Sequence, residues 1–167
     1  TGVARSGNDT VGKILMEYGF NRYGFADKLK DLAFQANPLV NSPPIGFGEL
    51  SFLSGLVTSY GWEKAKENDF VRQFLQNLGV GARKVFGENF WVDQVISDIT
   101  EKYGVYTSGL GTKTVQSNIV ITDVRFDNEA KAISGIGGLV IKVDRGLPPL
   151  NLHVSEKGLS PNLIDGT

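Results

Sequence analysis

Apolar residues recur along much of the chain at spacings of three and four, the period of one helical face. In "TVGKILMEYG" they fall at Val11, Ile14, Leu15 and Tyr18, and Gly19 supplies a stop, so a helix is expected there. "NRYGFADKLKDLAFQANP" reads as a short strand running into a helix, with Leu29, Leu32 and Ala33 inward and Pro38 closing it. Between 61 and 104 the pattern is mostly helical: Phe70, Val71, Phe74, Leu75 and Leu78 form one stripe, and Trp91, Val92, Val95, Ile96 and Ile99 another. "SNIVITDVRF" changes character to a short β-branched apolar run bounded by polar residues, the mark of a buried strand. "NEAKAISGIGG" predicts a short helix with a glycine stop, "LVIKVDR" a further strand, and residues 146–167 a loop-like tail.

Residues 38–61 fit neither period. They are rich in Pro, Gly and Ser yet hold Ile45, Phe47, Leu50, Phe52, Leu53 and Leu56, which predicts an excursion over the core with the character of a movable flap. The same apolar residues could serve a homodimer as readily. Helices alternating with strands predict one α/β domain over 1–167, built on a mostly parallel sheet flanked by helices.

Composition narrows the chemistry. The 167 residues carry a formal net charge of -1, which argues against a protein whose main partner is the nucleic-acid backbone, so no direct nucleic-acid binding is expected. There is no cysteine, which excludes disulfides and thiolate metal sites and is compatible with a reducing cytoplasm. His153 is the only histidine, so histidine-rich metal sites and serine–histidine triads are improbable. No apolar run approaches the roughly 20 residues that cross a bilayer, and the reading is of a soluble protein without a membrane partner.

The opening "TGVARSGNDTVGKIL" carries the strongest local motif. Gly2 to Gly7 fits the first half of G-x-x-x-x-G-K-[ST], in which backbone N–H groups and a helix N-terminus wrap polyphosphate. The lysine position holds Asn8, followed by Asp9 and Thr10. A phosphate loop normally follows a buried strand, and such a strand is expected ahead of Thr1. Asp123 and Arg125 stand at the carboxyl end of the strand in "SNIVITDVRF", where ligands collect in open α/β sheets.

Taken together, "GVARSGNDTVGKIL", "YGFADKLKD", "GWEKAKENDFVRQFLQNLG", "ITDVRFDNEAKAI" and "HVSEKGL", in that order, resemble the deoxynucleoside monophosphate kinases of tailed bacteriophages, a branch of the phosphate-loop nucleoside monophosphate kinases. The resemblance implies a P-loop NTPase-like three-layer sandwich. It also implies phosphoryl transfer from ATP, with Mg2+, to a deoxynucleoside monophosphate, in a host-cell cytoplasm for viral DNA precursor supply. By the same resemblance Gly2, Ala4, Arg5, Ser6, Gly7, Asn8, Asp9 and Thr10 would hold the ATP phosphates, with Asp9 or Thr10 placing magnesium through oxygen ligands or water. Asp27 would face both substrates and Lys30 add charge. Arg72 and Arg83 would take the acceptor phosphate, Gln76 and Trp91 its base, and Asp123 and Arg125, with Asn128 and Glu129 on the next helix, would complete the site. Arg145 would lie in a lid-like segment, 145–167, closing over ATP.

Each of these residues also has a plainer role open to it. Asn8, Asp9 and Thr10 are helix-capping types, as Asp27 and Asp123 are for the helices that follow them. Trp91 belongs to an apolar stripe, Arg72 and Gln76 could be a solvated helix face, and Glu63, Lys64, Lys66 and Glu67 read as an exposed one.

Two departures from the family stand out. Neutral Asn8 removes charge where a moving phosphoryl group needs it, a loss of about 10²–10³ in rate by analogy with deleting one preorganised donor. Arg5 is the better-placed substitute, since Lys13 is rotated well away along the helix. A natural variant compensated by Arg5, an acquired or engineered lesion, and a relic that binds without turnover all remain open. So does a related small-molecule kinase, such as one acting on dephospho-coenzyme A. The C-terminal "LSPNLIDGT" is also abrupt beside the family's longer acidic loop and final helix, and Asp127 stands where relatives often carry proline.

Overall fold

A computed structural model of the chain describes residues 7–41, 50–107, 111, 113–143 and 159–166. The chain divides into two compact units, one formed by 1–25 and 91–167 and the other by 26–90.

In the first unit, helix α1 (Asn8–Glu17) starts at Gly7, whose φ of 107° is open to glycine without strain, and ends before Gly19, at φ 83°. It leads into strand β1 (Asn21–Tyr23), which pairs in parallel with β6 (Ile119–Ile121) in the register Asn21↔Ile119, Arg22↔Val120, Tyr23↔Ile121. Helix α5 (Phe90–Tyr103) supplies Val92, Val95 and Ile99 to the core, and helix α6 (Asp127–Gly135) supplies Ala130 and Ile133. Phe25, Val124 and Val140 complete it. Tyr23 and Tyr103 pack edge to face against this core, ring centroids 6.3 Å apart. Between α5 and β6 an antiparallel pair forms, β4 (Val105–Thr107) with β5 (Lys113–Val115).

In the second unit, most of helix α2 (Phe25–Ala36) is followed by an antiparallel pair, β2 (Leu39–Asn41) with β3 (Leu50–Phe52), then by helices α3 (Leu53–Ala65) and α4 (Asp69–Phe86). Ala33, Val40, Leu53, Ala65, Val71 and Leu75 form its core. Asn37, in the left-handed conformation at φ 47°, ends α2, and its side-chain oxygen accepts the Ser54 N–H at 2.9 Å. Asn68 caps α4 by accepting from the Phe70 and Val71 N–H groups at 2.9 and 3.3 Å. Lys64–Glu67 and Lys66–Glu63 form the expected solvated pairs at 2.6 and 2.7 Å.

The fold is mixed α/β with one small parallel pair. The mostly parallel sheet read from the sequence is not what the described residues form: two of the three strand pairs are antiparallel, and the described part of "LVIKVDR", residues 139–143, contributes only a single bridge, Ile141 to Gly166. The excursion at 38–61 contains β2, β3 and the start of α3, its residues 42–49 lying outside the described set. Leu32 is exposed rather than inward. On α1 the buried residue is Gly12, while Val11, Ile14 and Tyr18 are exposed. The reason is a close approach: a Cβ on Gly12 would sit 2.4 Å from Thr122 Cγ2, so α1 meets β6 edge-on through its one residue without a side chain.

Gly81 on α4 has no such neighbour within 4 Å. Urea unfolding of the two alanine variants should therefore move in opposite directions. Gly12→Ala is expected to lose about 1–2 kcal/mol, overpacking outweighing the helix-propensity gain, whereas Gly81→Ala should gain about 0.5–1 kcal/mol. A stabilised Gly12→Ala protein means that α1 does not lie against Thr122 as described.

Candidate functional site

The sequence-predicted residues fall into groups that each unit holds separately. Gly2, Ala4, Arg5, Ser6, Arg145 and His153 lie outside the described residues, as does most of the segment expected to act as a lid.

In the first unit, Gly7 accepts the Val11 N–H at 3.0 Å as α1 begins, and no side chain caps the helix at Gly7. The first-turn N–H groups at Asn8, Asp9 and Thr10 are of the kind a helix leaves without an internal partner, at its positive dipole end. Asp9 and Thr10 are exposed and Asn8 is half-buried, its Oδ1 enclosed without a hydrogen-bond partner. Because α1 runs back into β1, its N-terminus lies at the carboxyl end of β1, and hence of the parallel β6. Thr122 and Asp123 follow β6 at that same end.

Asp123 accepts the Phe25 N–H at 2.8 Å and so closes the first turn of α2, the capping duty open to it from sequence. Arg125 is exposed, and its backbone is fixed by Glu129, whose carboxylate accepts the Arg125 and Phe126 N–H groups at 2.6 and 3.0 Å. Glu129 is only 7% exposed. It therefore shapes the turn that presents Arg125 and has little surface to offer a ligand. Asn128 is half-buried in the first turn of α6. Trp91 is likewise 7% exposed, which fits its place in the apolar stripe of α5 better than a stacking role.

Asp127 was legible only as a departure from the family. In the fold it anchors the tail: its carboxylate accepts from the Ser160 hydroxyl at 2.5 Å and the Ser160 N–H at 2.9 Å. Aspartate in a first helical turn was the available signal, but nothing in the sequence names a partner 33 residues away.

In the second unit, Asp27 lies within the first turn of α2, 3.5 Å from Lys30. Arg72 pairs with Asp69 one turn back on α4. Gln76, exposed four residues after Arg72, shares its face of the helix, and Arg83 stands half-buried in the last turn. An exposed i,i+3 pair such as Arg72–Asp69 is worth at most about 1 kcal/mol and yields readily to a better anion.

Among the described residues no group of three or more His, Asp or Glu side chains could enclose a metal ion. Exposed Asp9 and Thr10 fit the sparser requirement of a magnesium ion that takes most of its ligands from water and phosphate. No described helix is long and apolar enough to cross a membrane.

A helix start that no Gly7 side chain caps, at the carboxyl end of a parallel pair, defines an α/β protein with an end of the kind that suits an anion. No family model matches the sequence. A protein of Acanthamoeba polyphaga mimivirus bearing the name "Putative deoxynucleotide monophosphate kinase" is 29% identical to the chain over 160 residues, a match spanning 90% of this chain and 75% of the viral one. The chain is thus similar, at a distance and along most of its length, to a protein named as a nucleotide kinase.

The Asp127 tether carries a pH signature. Its two bonds from Ser160, the hydroxyl first, hold the Asp127 carboxyl below its ordinary 3.8. A depressed folded-state value stabilises the tether above pH 3.8 and releases it as pH falls through the lower value. An NMR titration should show the Ser160 amide moving with a midpoint below 3.8. A midpoint at or above that value would mean the tail is not held this way.

Proposed function

We propose that the chain is an ATP-dependent nucleotide kinase whose acceptor is a deoxynucleoside monophosphate. The observation that carries the reading is the open N-terminus of α1 at the carboxyl end of the β1–β6 pair, together with the likeness to the viral kinase over most of the chain. In the reaction the bond from the ATP γ-phosphorus to its bridging oxygen breaks and one to an acceptor phosphate oxygen forms, giving ADP and the diphosphate. Such a transfer asks the protein chiefly for positioning and charge neutralisation.

The first-turn N–H groups after Gly7, with Gly2, Ala4, Arg5 and Ser6 ahead of them, would hold the donor phosphates. Arg125, set by Glu129, would neutralise charge on the moving group. Asp9 and Thr10 would hold magnesium, which when bound screens the phosphate oxygens. Arg72, Arg83 and Lys30 suit the acceptor phosphate by charge, arginine by its planar fork. Gln76 would meet the base, Asn128 the nucleotide, and Arg145 the donor side. Asp123 and Asp27 would act from the helix start that Asp123 caps.

Asn8 favours a second reading, nucleotide binding without turnover, because its neutral side chain keeps its oxygen buried where relatives of the resembled family place a cation. ADP formation from ATP and magnesium with each deoxynucleoside monophosphate separates the two. Asn8→Lys is expected to raise kcat by about 10²–10³ over the chain as it stands. Equal rates from both would mean another group, Arg5 foremost, already does the lysine's work. No turnover from either, with nucleotide still bound, favours the second reading. In an active enzyme, Arg72→Ala should raise KM for the acceptor about tenfold while leaving KM for ATP unchanged; the reverse pattern removes Arg72 from the acceptor site.

A further inference from the structure

The backbone on which Arg125 stands is pinned on both sides by carboxylates. Asp123, two residues before it, accepts the Phe25 N–H at 2.8 Å, and Asp127, two residues after it, accepts the Ser160 hydroxyl at 2.5 Å and the Ser160 N–H at 2.9 Å. Between these pins a single Glu129 oxygen takes the Arg125 and Phe126 N–H groups.

The pin at Asp127 matters because α6 begins weakly. Its N-cap residue is Phe126, whose side chain has no oxygen to accept from the first turn, so α6 has half of a capping box: Glu129 reaches back to the Phe126 N–H and nothing at 126 reaches forward. A helix of nine residues held at its start by one side chain frays from that end. Fraying would carry off the Glu129 carboxylate, which belongs to that same turn, and with it both bonds that fix Arg125.

Asp127 secures the turn from outside the helix. The tail that supplies its donors is itself fixed: Leu159 and Leu163 pack on the core on either side of Ser160, Asp165 holds both the N–H and the carbonyl of Val140, and the Lys142 N–H donates to the Gly166 carbonyl at 2.7 Å.

We propose that Asp127 and Ser160 form a clasp by which the tail holds the first turn of α6 and so positions Arg125. Both are positioning residues, acting through the turn. That Arg125 then neutralises a phosphoryl group in flight rests on the kinase reading; that the clasp orders its backbone does not.

The turn can be stiffened without the tail. Phe126, at φ −119° and ψ 148°, has the backbone that a residue before proline adopts, and Asp127 is the first residue of the helix, where an N–H has no internal partner and proline fits. Asp127→Pro therefore removes the clasp and keeps the turn, whereas Asp127→Ala removes both.

Hydrogen exchange at the Arg125 and Phe126 amides, referenced to those of the buried Val95 and Ile99 on α5, which report global opening, reads the turn directly. Asp127→Ala is expected to speed it roughly tenfold, and Ser160→Ala, which leaves the Ser160 N–H in place, roughly threefold. Asp127→Pro should stay close to the parent chain. In an active enzyme, kcat should fall about tenfold in Asp127→Ala with both KM values unchanged, recover in Asp127→Pro, and show no further loss when Asp127→Ala is added to Arg125→Ala. Unchanged exchange in Asp127→Ala, or exchange in Asp127→Pro as fast as in Asp127→Ala, overturns the clasp. A loss of kcat that persists undiminished beside Arg125→Ala overturns Arg125 as the group it positions. Should Asp127→Ala fail to fold, Ser160→Ala against Ser160→Thr, which restores the hydroxyl, decides by the same exchange ratio. A parent chain without turnover counts against the kinase reading alone, and the exchange series still decides the clasp.

Discussion

The single hydrogen that Gly12 presents to Thr122 sets the arrangement of the first unit. Any larger residue at position 12 would hold α1 off the parallel pair, because a Cβ there falls well inside van der Waals contact with Thr122 Cγ2. That contact fixes where the helix N-terminus comes to rest relative to the carboxyl end of β6. The placing of the dipole and of the first-turn N–H groups follows from it. The candidate site is therefore built on a packing constraint made about one helical turn away from the groups that would touch a ligand.

A second layer of order comes from carboxylates that bond backbone rather than solvent or substrate. Asp123 holds the start of α2, Glu129 holds the turn at Arg125 and Phe126, Asp127 holds Ser160, and Asp165 accepts the Val140 N–H at 2.7 Å. Charge-assisted bonds of this kind are stronger than neutral ones and directional. In the first unit acidic groups shape the scaffold, while the cation among the predicted residues described there, Arg125, faces outward.

Much of the helical content was legible because it is written in apolar periodicity: α4 and α5 bury Val71 and Leu75, and Val92, Val95 and Ile99, as the stripes imply. The β4–β5 pair left no such mark. Its first strand is exposed along its length and Thr107 pairs with Lys113, so no alternation of burial betrays it. The apolar face of α1 misled for a different reason. Val11 and Leu15 border a cavity instead of a packed core, and the residue that makes the contact is a glycine, invisible to a search for hydrophobic spacing. For the candidate site, residue types were readable but duties were not. Asp123 and Glu129 owe theirs to N–H groups whose positions only the folded backbone defines, and the acceptor-side cations could be named only through their order along the chain.

The two units also differ in how they draw on the chain. Residues 26–90 are contiguous, whereas the other unit takes residues from both sides of them. Val140 is gripped from both its N–H and its C=O by Asp165, so one wall of that unit is not secured until residue 165 exists. During synthesis the contiguous unit can pack as soon as its last helix has emerged, while α1 and β1, made before it, must wait for β6 and the tail. An earlier-made part of this unit is thus among the last to find its place, and its apolar residues are ones a chaperone would meet.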